Sequence, residues 1–177
     1  MNANAPLSFF RSGKVAKNRS LLAAMTNKQS HPDGTLSCEE IRWLVRRGSG
    51  GFGITTTAAA NVTETGRGWE GEMGVWGDHQ LPGLTQLASE LKATGTLSVV
   101  QLFHGGIRAP RAINGVQPIS ASQNAIPGDD HELTREMTDE EVSQMIQHFT
   151  TAALRCQQAG FDGVELHGAH GYLISQF

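Results

Sequence analysis

No run of 18 apolar residues occurs anywhere in the chain, so the sequence offers no transmembrane helix. The N-terminal stretch MNANAPLSFFRSGKVAKN has no apolar h-region followed by a small-residue cleavage site, and we read no signal peptide in it. Cysteine is scarce. Cys38 and Cys156 lie far apart, lack C-x-x-C or other ligand spacing, and fall in helical patterns, so both are expected to be buried reduced thiols. An excess of positive charge is missing too: 14 Lys and Arg stand against 17 Asp and Glu, which argues against the basic face of a nucleic-acid binder. A cytoplasmic enzyme, with neither nucleic acid nor membrane as a partner, fits these absences.

Glycine, by contrast, is abundant at 21 residues, which points to many tight turns or close backbone approaches to a ligand. With 38% apolar residues over 177 positions, the chain can build one domain with a real core.

The order of patterns is strand, helix, strand, helix. Residues 21–25 form a short apolar run that reads as a buried strand. Ser37 and Glu40 make an S-x-x-E capping box, Ile41, Leu44 and Val45 follow at helical spacing, and glycines at 48–51 stop the helix. Residues 53–58, rich in β-branched side chains, read as a second strand. Asp78 can cap the next helix, with Pro82 in its first turn, Leu84, Leu87, Ala88 and Leu91 as its apolar stripe, and Gly95 at its end. Residues 97–103 are the third strand, and a long polar loop runs from 104 to about 137. A second capping box at Thr138 and Glu141 opens a helix to Gly160, with Val142, Met145, Ile146, Phe149 and Ala153 on one face; 162–166 form the fourth strand. Buried strands alternating with helices, with no hairpin signals, imply parallel βα units. Half of a (β/α)8 barrel and a small doubly wound sheet both satisfy this pattern, and periodicity does not separate them.

In either architecture chemistry gathers at the C-terminal ends of the strands. Those ends supply Ala24, Met25 and Thr26; small residues at 58–60; Gln101 and His104; and the dense segment His167-Gly168-Ala169-His170-Gly171-Tyr172. His167 and His170 can act as two hydrogen-bond donors on one substrate oxygen, with Tyr172 as a proton source. An H-x-x-H pair can also chelate zinc, but no Cys or carboxylate cluster flanks this one. For an isolated pair, two histidines satisfied by ordinary hydrogen bonds are the commonest case. Gln101 is unusual in an apolar strand, because a buried amide must be hydrogen-bonded; it faces either solvent or a polar ligand.

Several segments together are more specific. The segment FDGVELHGAHGYLISQF (161–177) resembles the fourth-strand signature of the Old Yellow Enzyme family of FMN oxidoreductases, and VVQLFHGG (99–106) resembles its third-strand motif. Asn18-Arg19 with LLAAMT (21–26), and Gly66-Arg67 with Gly74-Val75-Trp76, are similar to the family's first strand and to the region after its second. The resemblance spans about residues 17–177. It implies a (β/α)8 TIM barrel of which this chain supplies the first four βα units, with residues 1–16 as an N-terminal extension. It also implies non-covalent FMN, NADPH or NADH as hydride donor, and a small-molecule enone or nitro substrate.

By position, the resemblance lays Ala23, Ala24, Met25 and Thr26 along the flavin, with Thr26 near its O4/N5 edge. Ala59 would touch the ring through its backbone, and Gln101 would bond the pyrimidine edge. His167 and His170 would hold the substrate oxygen, and Tyr172 would protonate the α-carbon. The chain departs from the family at Ala24, where proline is common, at Lys28, where some relatives have Tyr, and in one extra residue before Arg108. A whole barrel takes about 250 residues, so a second chain carrying the C-terminal half is expected as a partner. A non-catalytic half-barrel module and a metal hydrolase using His104, His167 and His170 are the competing readings.

Overall fold

The computed structural model of the protein describes residues 2–126 and 128–177. Besides a short strand at Met73–Gly74 that pairs in parallel with Ala60 and Asn61, four parallel strands form its sheet: β1 (Leu21–Leu22), β2 (Ile54–Asn61), β3 (Leu97–Phe103) and β4 (Gly163–Leu166). Each pairs with its neighbour in sequence, Leu21 with Ile54, Thr56 with Val99, and Gly163 with Val99. The order 1-2-3-4 has no reversal, whereas a doubly wound sheet must reverse at a switch point. The strands are the first four of a TIM barrel, and the doubly wound alternative is excluded.

Three helices, α1 (Cys38–Ser49), α2 (Leu81–Ala93) and α3 (Asp139–Ala159), connect the strands and pack on one face of the sheet. The pleat explains how. In β3, Ser98, Val100 and Leu102 are buried, while Leu97, Val99 and Gln101 are half-buried on the opposite, inner face. Val100 and Leu102 join Leu44, Leu84, Leu91, Ala152 and Cys156 in a single core between sheet and helices.

The helix caps differ from their sequence patterns in an instructive way. At α3 the box closes in both directions between Thr138 and Glu141. At α1 Ser37 Oγ accepts the Glu40 N–H, but the Glu40 carboxylate does not return to the cap. Instead it is fully buried and accepts from Asn27 Nδ2 (2.9 Å) and from the Ser30 hydroxyl. Asp78 does not cap α2. It sits in a preceding helical turn (Asp78–Gln80), where it takes the guanidinium of Arg155 at 2.9 Å. Cys38, at the first turn of α1, is exposed rather than buried, while Cys156 is buried as expected.

Three further differences are structural. The first strand stops at Leu22, and β2 bulges against β3 between Thr56 and Ala59. Residues 104–137 are not a bare loop; they hold a helical turn (Arg111–Asn114) and short paired strands. Residues 7–16 form an antiparallel hairpin, Leu7–Phe9 against Lys14–Ala16, that carried no hairpin signal. It is fastened under the sheet by Lys14 Nζ on Asp162 (2.6 Å). Lys17 Nζ then reaches the carbonyls of Gly48 (3.2 Å) and Thr94 (3.0 Å), where a cation meets the negative ends of α1 and α2.

The outer face of α3 is uncovered. Together with β4 and the C-terminal helical turn it walls an apolar groove of about 640 Å³, lined by Met145, Ile146, Phe149, Val164, Leu166 and Phe177. Among the described residues no helix is long and apolar enough to cross a membrane.

Candidate active site

The His-x-x-His segment is shaped by its backbone. The His167 N–H donates to Leu102 O at 3.0 Å, one step beyond the β4–β3 ladder, which keeps His167 in the strand's alternation and on the inner face. His170 (φ 60°) and Gly171 (φ 70°) are both left-handed, so the chain reverses there and brings Tyr172 back over the strand end. The Leu173 N–H then donates to His104 O at 3.1 Å, and the Leu173 side chain is buried, which pins the reversal to β3.

The outcome is one cluster of rings. His167 lies 5.2 Å from His170 and 4.9 Å from Tyr172, centroid to centroid, and both pairs meet edge to face. Phe103 supports His167 (5.7 Å) and Tyr172 (4.5 Å), and Trp69 packs behind Phe103 at 5.4 Å. Burial, and then the neighbouring His170, hold the His167 pKa below its usual value, against the opposing pull of Glu165, so the ring is neutral near pH 7. Its Nδ1 accepts the Ala169 N–H at 3.4 Å. That bond assigns the neutral ring's proton to Nε2, leaving an N–H free to donate.

Along the inner wall, Ala59, Gln101 and Glu165 form a row across β2, β3 and β4 in direct register. Gln101 meets a polar partner, donating through Nε2 to Glu165 Oε1. Ala59 is buried, whereas Ala23, Met25 and Thr26 are exposed and Ala24 is half-buried at the open end of β1. Small side chains and one amide facing an open wall suit a flat heteroaromatic ring: Ala23, Ala24 and Ala59 leave it room, and Gln101 offers both a donor and an acceptor.

His104 stands apart from this cluster. It is buried, its Nδ1 accepts the Gly106 N–H at 3.0 Å, and its Nε2 has no partner. Burial brings its pKa down to about 4. Among the described residues no group of three or more His, Cys, Asp or Glu side chains is arranged to hold a metal ion, which removes the support for a three-histidine metal site.

Some residues at the site were not singled out in the sequence. Phe103 and Trp69 read as ordinary apolar positions. Glu165 carried a usable signal, a charged residue in the middle of an apolar strand, as Gln101 did in its own strand. In the sequence pattern Glu40 is half of a capping box. Its burial and its hold on Asn27 and Ser30 depend on where the loop after β1 folds.

The model of the NADH:flavin oxidoreductase / NADH oxidase family matches residues 6–177. A probable NADH-dependent flavin oxidoreductase of Bacillus subtilis is 39% identical over 168 residues, 95% of this chain and 45% of that protein. An NADPH dehydrogenase of Bacillus licheniformis is 35% identical over 167 residues, 93% of this chain and 48% of that one. An old yellow enzyme homologue from Zymomonas mobilis superposes with a TM-score of 0.90 at 26% identity, covering 98% of this chain and 50% of the other. The chain thus spans less than half the length of these two curated relatives.

Proposed function

The chain belongs to the NADH:flavin oxidoreductase / NADH oxidase family, and on that basis we propose that it forms the catalytic face of an ene-reductase acting on α,β-unsaturated carbonyl or nitro compounds. FMN and a reduced nicotinamide, NADPH or NADH, are the cofactors that go with this family and fold. The observation that carries the reading is the convergence of His167, His170 and Tyr172 at the end of β4, beside the small-residue wall.

FMN, when bound, supplies the hydride that reaches the β-carbon of the substrate. Ala23, Ala24, Met25, Thr26 and Ala59 would hold its ring, and Gln101 would offer that ring a hydrogen-bonding amide. His167 and His170 donate N–H bonds to the substrate's oxygen. Negative charge grows there as the β-carbon is reduced, so donors already in place stabilise the transition state more than the ground state, by roughly 3 kcal/mol per good donor. Tyr172 gives its phenolic proton to the α-carbon, whose developing carbanion is far more basic than a phenolate, and is reprotonated from water.

The groove beside α3 supports a second part of the reading: further βα units cover it and close the barrel, whether carried on a second chain or not. A contiguous apolar surface containing Leu166 (60% exposed) and Phe177 (69% exposed) is unfavourable in water.

The test is a visible spectrum and an intact mass on one sample of the protein, followed by NADPH-driven reduction of 2-cyclohexenone. Flavin absorption and turnover that collapses in His167→Ala support the reading. A protein that stays colourless and takes up no FMN with those further βα units present overturns it.

A further inference from the structure

Among the described residues, two non-glycine residues adopt a left-handed backbone, and both lie on the rim at the strand ends: His170 in the ring cluster, and Lys28 (φ 54°) in the loop after β1. A lysine gains nothing locally from this conformation, so the surroundings must impose it. They do so from both sides. Asn27 Oδ1 accepts the Gln29 N–H (3.2 Å) while its Nδ2 donates to Glu40, and the Ser30 hydroxyl donates to the other oxygen of the same buried carboxyl. The Ser30 N–H also donates to Gly71 O (3.1 Å), and a Cβ at Gly71 would sit 2.7 Å from Lys28 O, so the two loops meet backbone to backbone.

The loop held in this way presents Lys28 to a cavity of about 840 Å³ that Arg67, Trp69 and Ser30 also line. Arg67 is fixed by Nη1 on Pro32 O (2.8 Å), and its buried Nε has no partner. Among the described residues no ion pair engages either cation. Glu70 is the one acidic residue on the wall and is exposed. Glu72 lies close enough to act on Arg67, but burial pushes its pKa well up, towards the neutral acid. The cavity is not remote from the chemistry: Trp69 packs on Phe103, and Phe103 on His167 and Tyr172.

We propose that Lys28 and Arg67 form an oxyanion subsite for a phosphate or carboxylate carried on the ligand away from its reacting end. Two unpaired cations on one wall, one of them fixed in position, attract such a group, and the ring series from Trp69 through Phe103 to His167 links this wall to the histidine pair. The inference rests on the ene-reductase reading for what the ligand does, but not for whether the subsite binds. The anion can belong to the nicotinamide donor, through its phosphates, or to a charged acceptor.

The test begins with calorimetric titration of the full protein with inorganic pyrophosphate, comparing wild type with Lys28→Gln and Lys28→Arg. Lys28→Gln is expected to weaken binding about tenfold, the size of one partly exposed charge-assisted hydrogen bond, and Lys28→Arg to retain it. Unchanged affinity in Lys28→Gln, or no binding by wild type, overturns the subsite even if enones are reduced. Lys28-dependent binding in a protein that reduces nothing upholds the subsite and overturns the ene-reductase reading instead. The source of the anion follows from KM in Lys28→Gln. A rise for NADPH but not for 1-benzyl-1,4-dihydronicotinamide assigns it to the donor. A rise for 4-oxo-2-pentenoate but not for 3-penten-2-one assigns it to the acceptor.

Discussion

Phe103 stands edge-on to Tyr172, with ring centroids 4.5 Å apart and planes at 78°. The contact positions the phenol ring without using its hydroxyl. Tyr172→Phe therefore keeps the packing and removes only the proton. It is expected to lower kcat for enone reduction by about 10²-fold or more while leaving the flavin spectrum and Tm unchanged. Stopped-flow measurement of the two half-reactions checks this: reduction by NADPH should be preserved and re-oxidation by the enone slowed.

The paired donors give a second expectation. Removing one N–H, as in His167→Ala, should cost about 10²–10³ in kcat. Steady-state kinetics with 2-cyclohexenone read the loss, and a decrease below tenfold would remove His167 from the oxyanion site.

At His170, function and stability pull in opposite directions. A left-handed backbone costs an L-residue roughly 1–2 kcal/mol that glycine avoids. His170 is left-handed and exposed, so His170→Gly should raise Tm while lowering turnover. His170→Val, β-branched at the same φ, should lower both. Thermal melts of the three proteins decide it.

His104 makes the fold acid-sensitive. Its pKa falls from 6.5 to about 4 on burial, so between those values the unfolded chain binds the proton that the folded chain refuses. The stability this neutral ring contributes is complete above about pH 6.5 and is lost as pH falls towards 4, by on the order of 3 kcal/mol. Urea unfolding across that range should show the slope in wild type and lose most of it in His104→Gln.

Gly66 is required by its neighbour. A Cβ there would lie 2.4 Å from the His104 ring and 2.8 Å from Thr63 Oγ1, both in tight surroundings. Gly66→Ala should cost about 1–3 kcal/mol, as overpacking does, seen as a lower midpoint in denaturant.

How far the sequence could be read depended on whether local signals agreed with one another. Residues 97–103 were legible to the residue, because β-branching, length and a flanking Gly95 all pointed to one strand. Thr138 and Glu141 were legible because a capping box closes within a single turn. The hairpin at 7–16 was not, since its strands are three residues each and are held by Lys14 reaching Asp162, 148 positions away. The ring series from Trp69 through Phe103 to His167 likewise joins the loop after β2 to the ends of β3 and β4.

The sequence by itself determined the alternation of strand and helix, the strand-end placement of Gln101, His167, His170 and Tyr172, and the family, because each of these is written in contiguous residues. Only the tertiary structure decided that the strands run 1-2-3-4, since strand order depends on crossovers that periodicity does not encode. It also decided that Glu40 leaves its cap to clamp the Lys28 loop, and that His104 is a buried neutral ring rather than a third member of the pair. The physical reason is common to both residues. The state of a polar side chain is set by burial and by the partners that distant segments bring to it, and neither is a property of its neighbours in sequence.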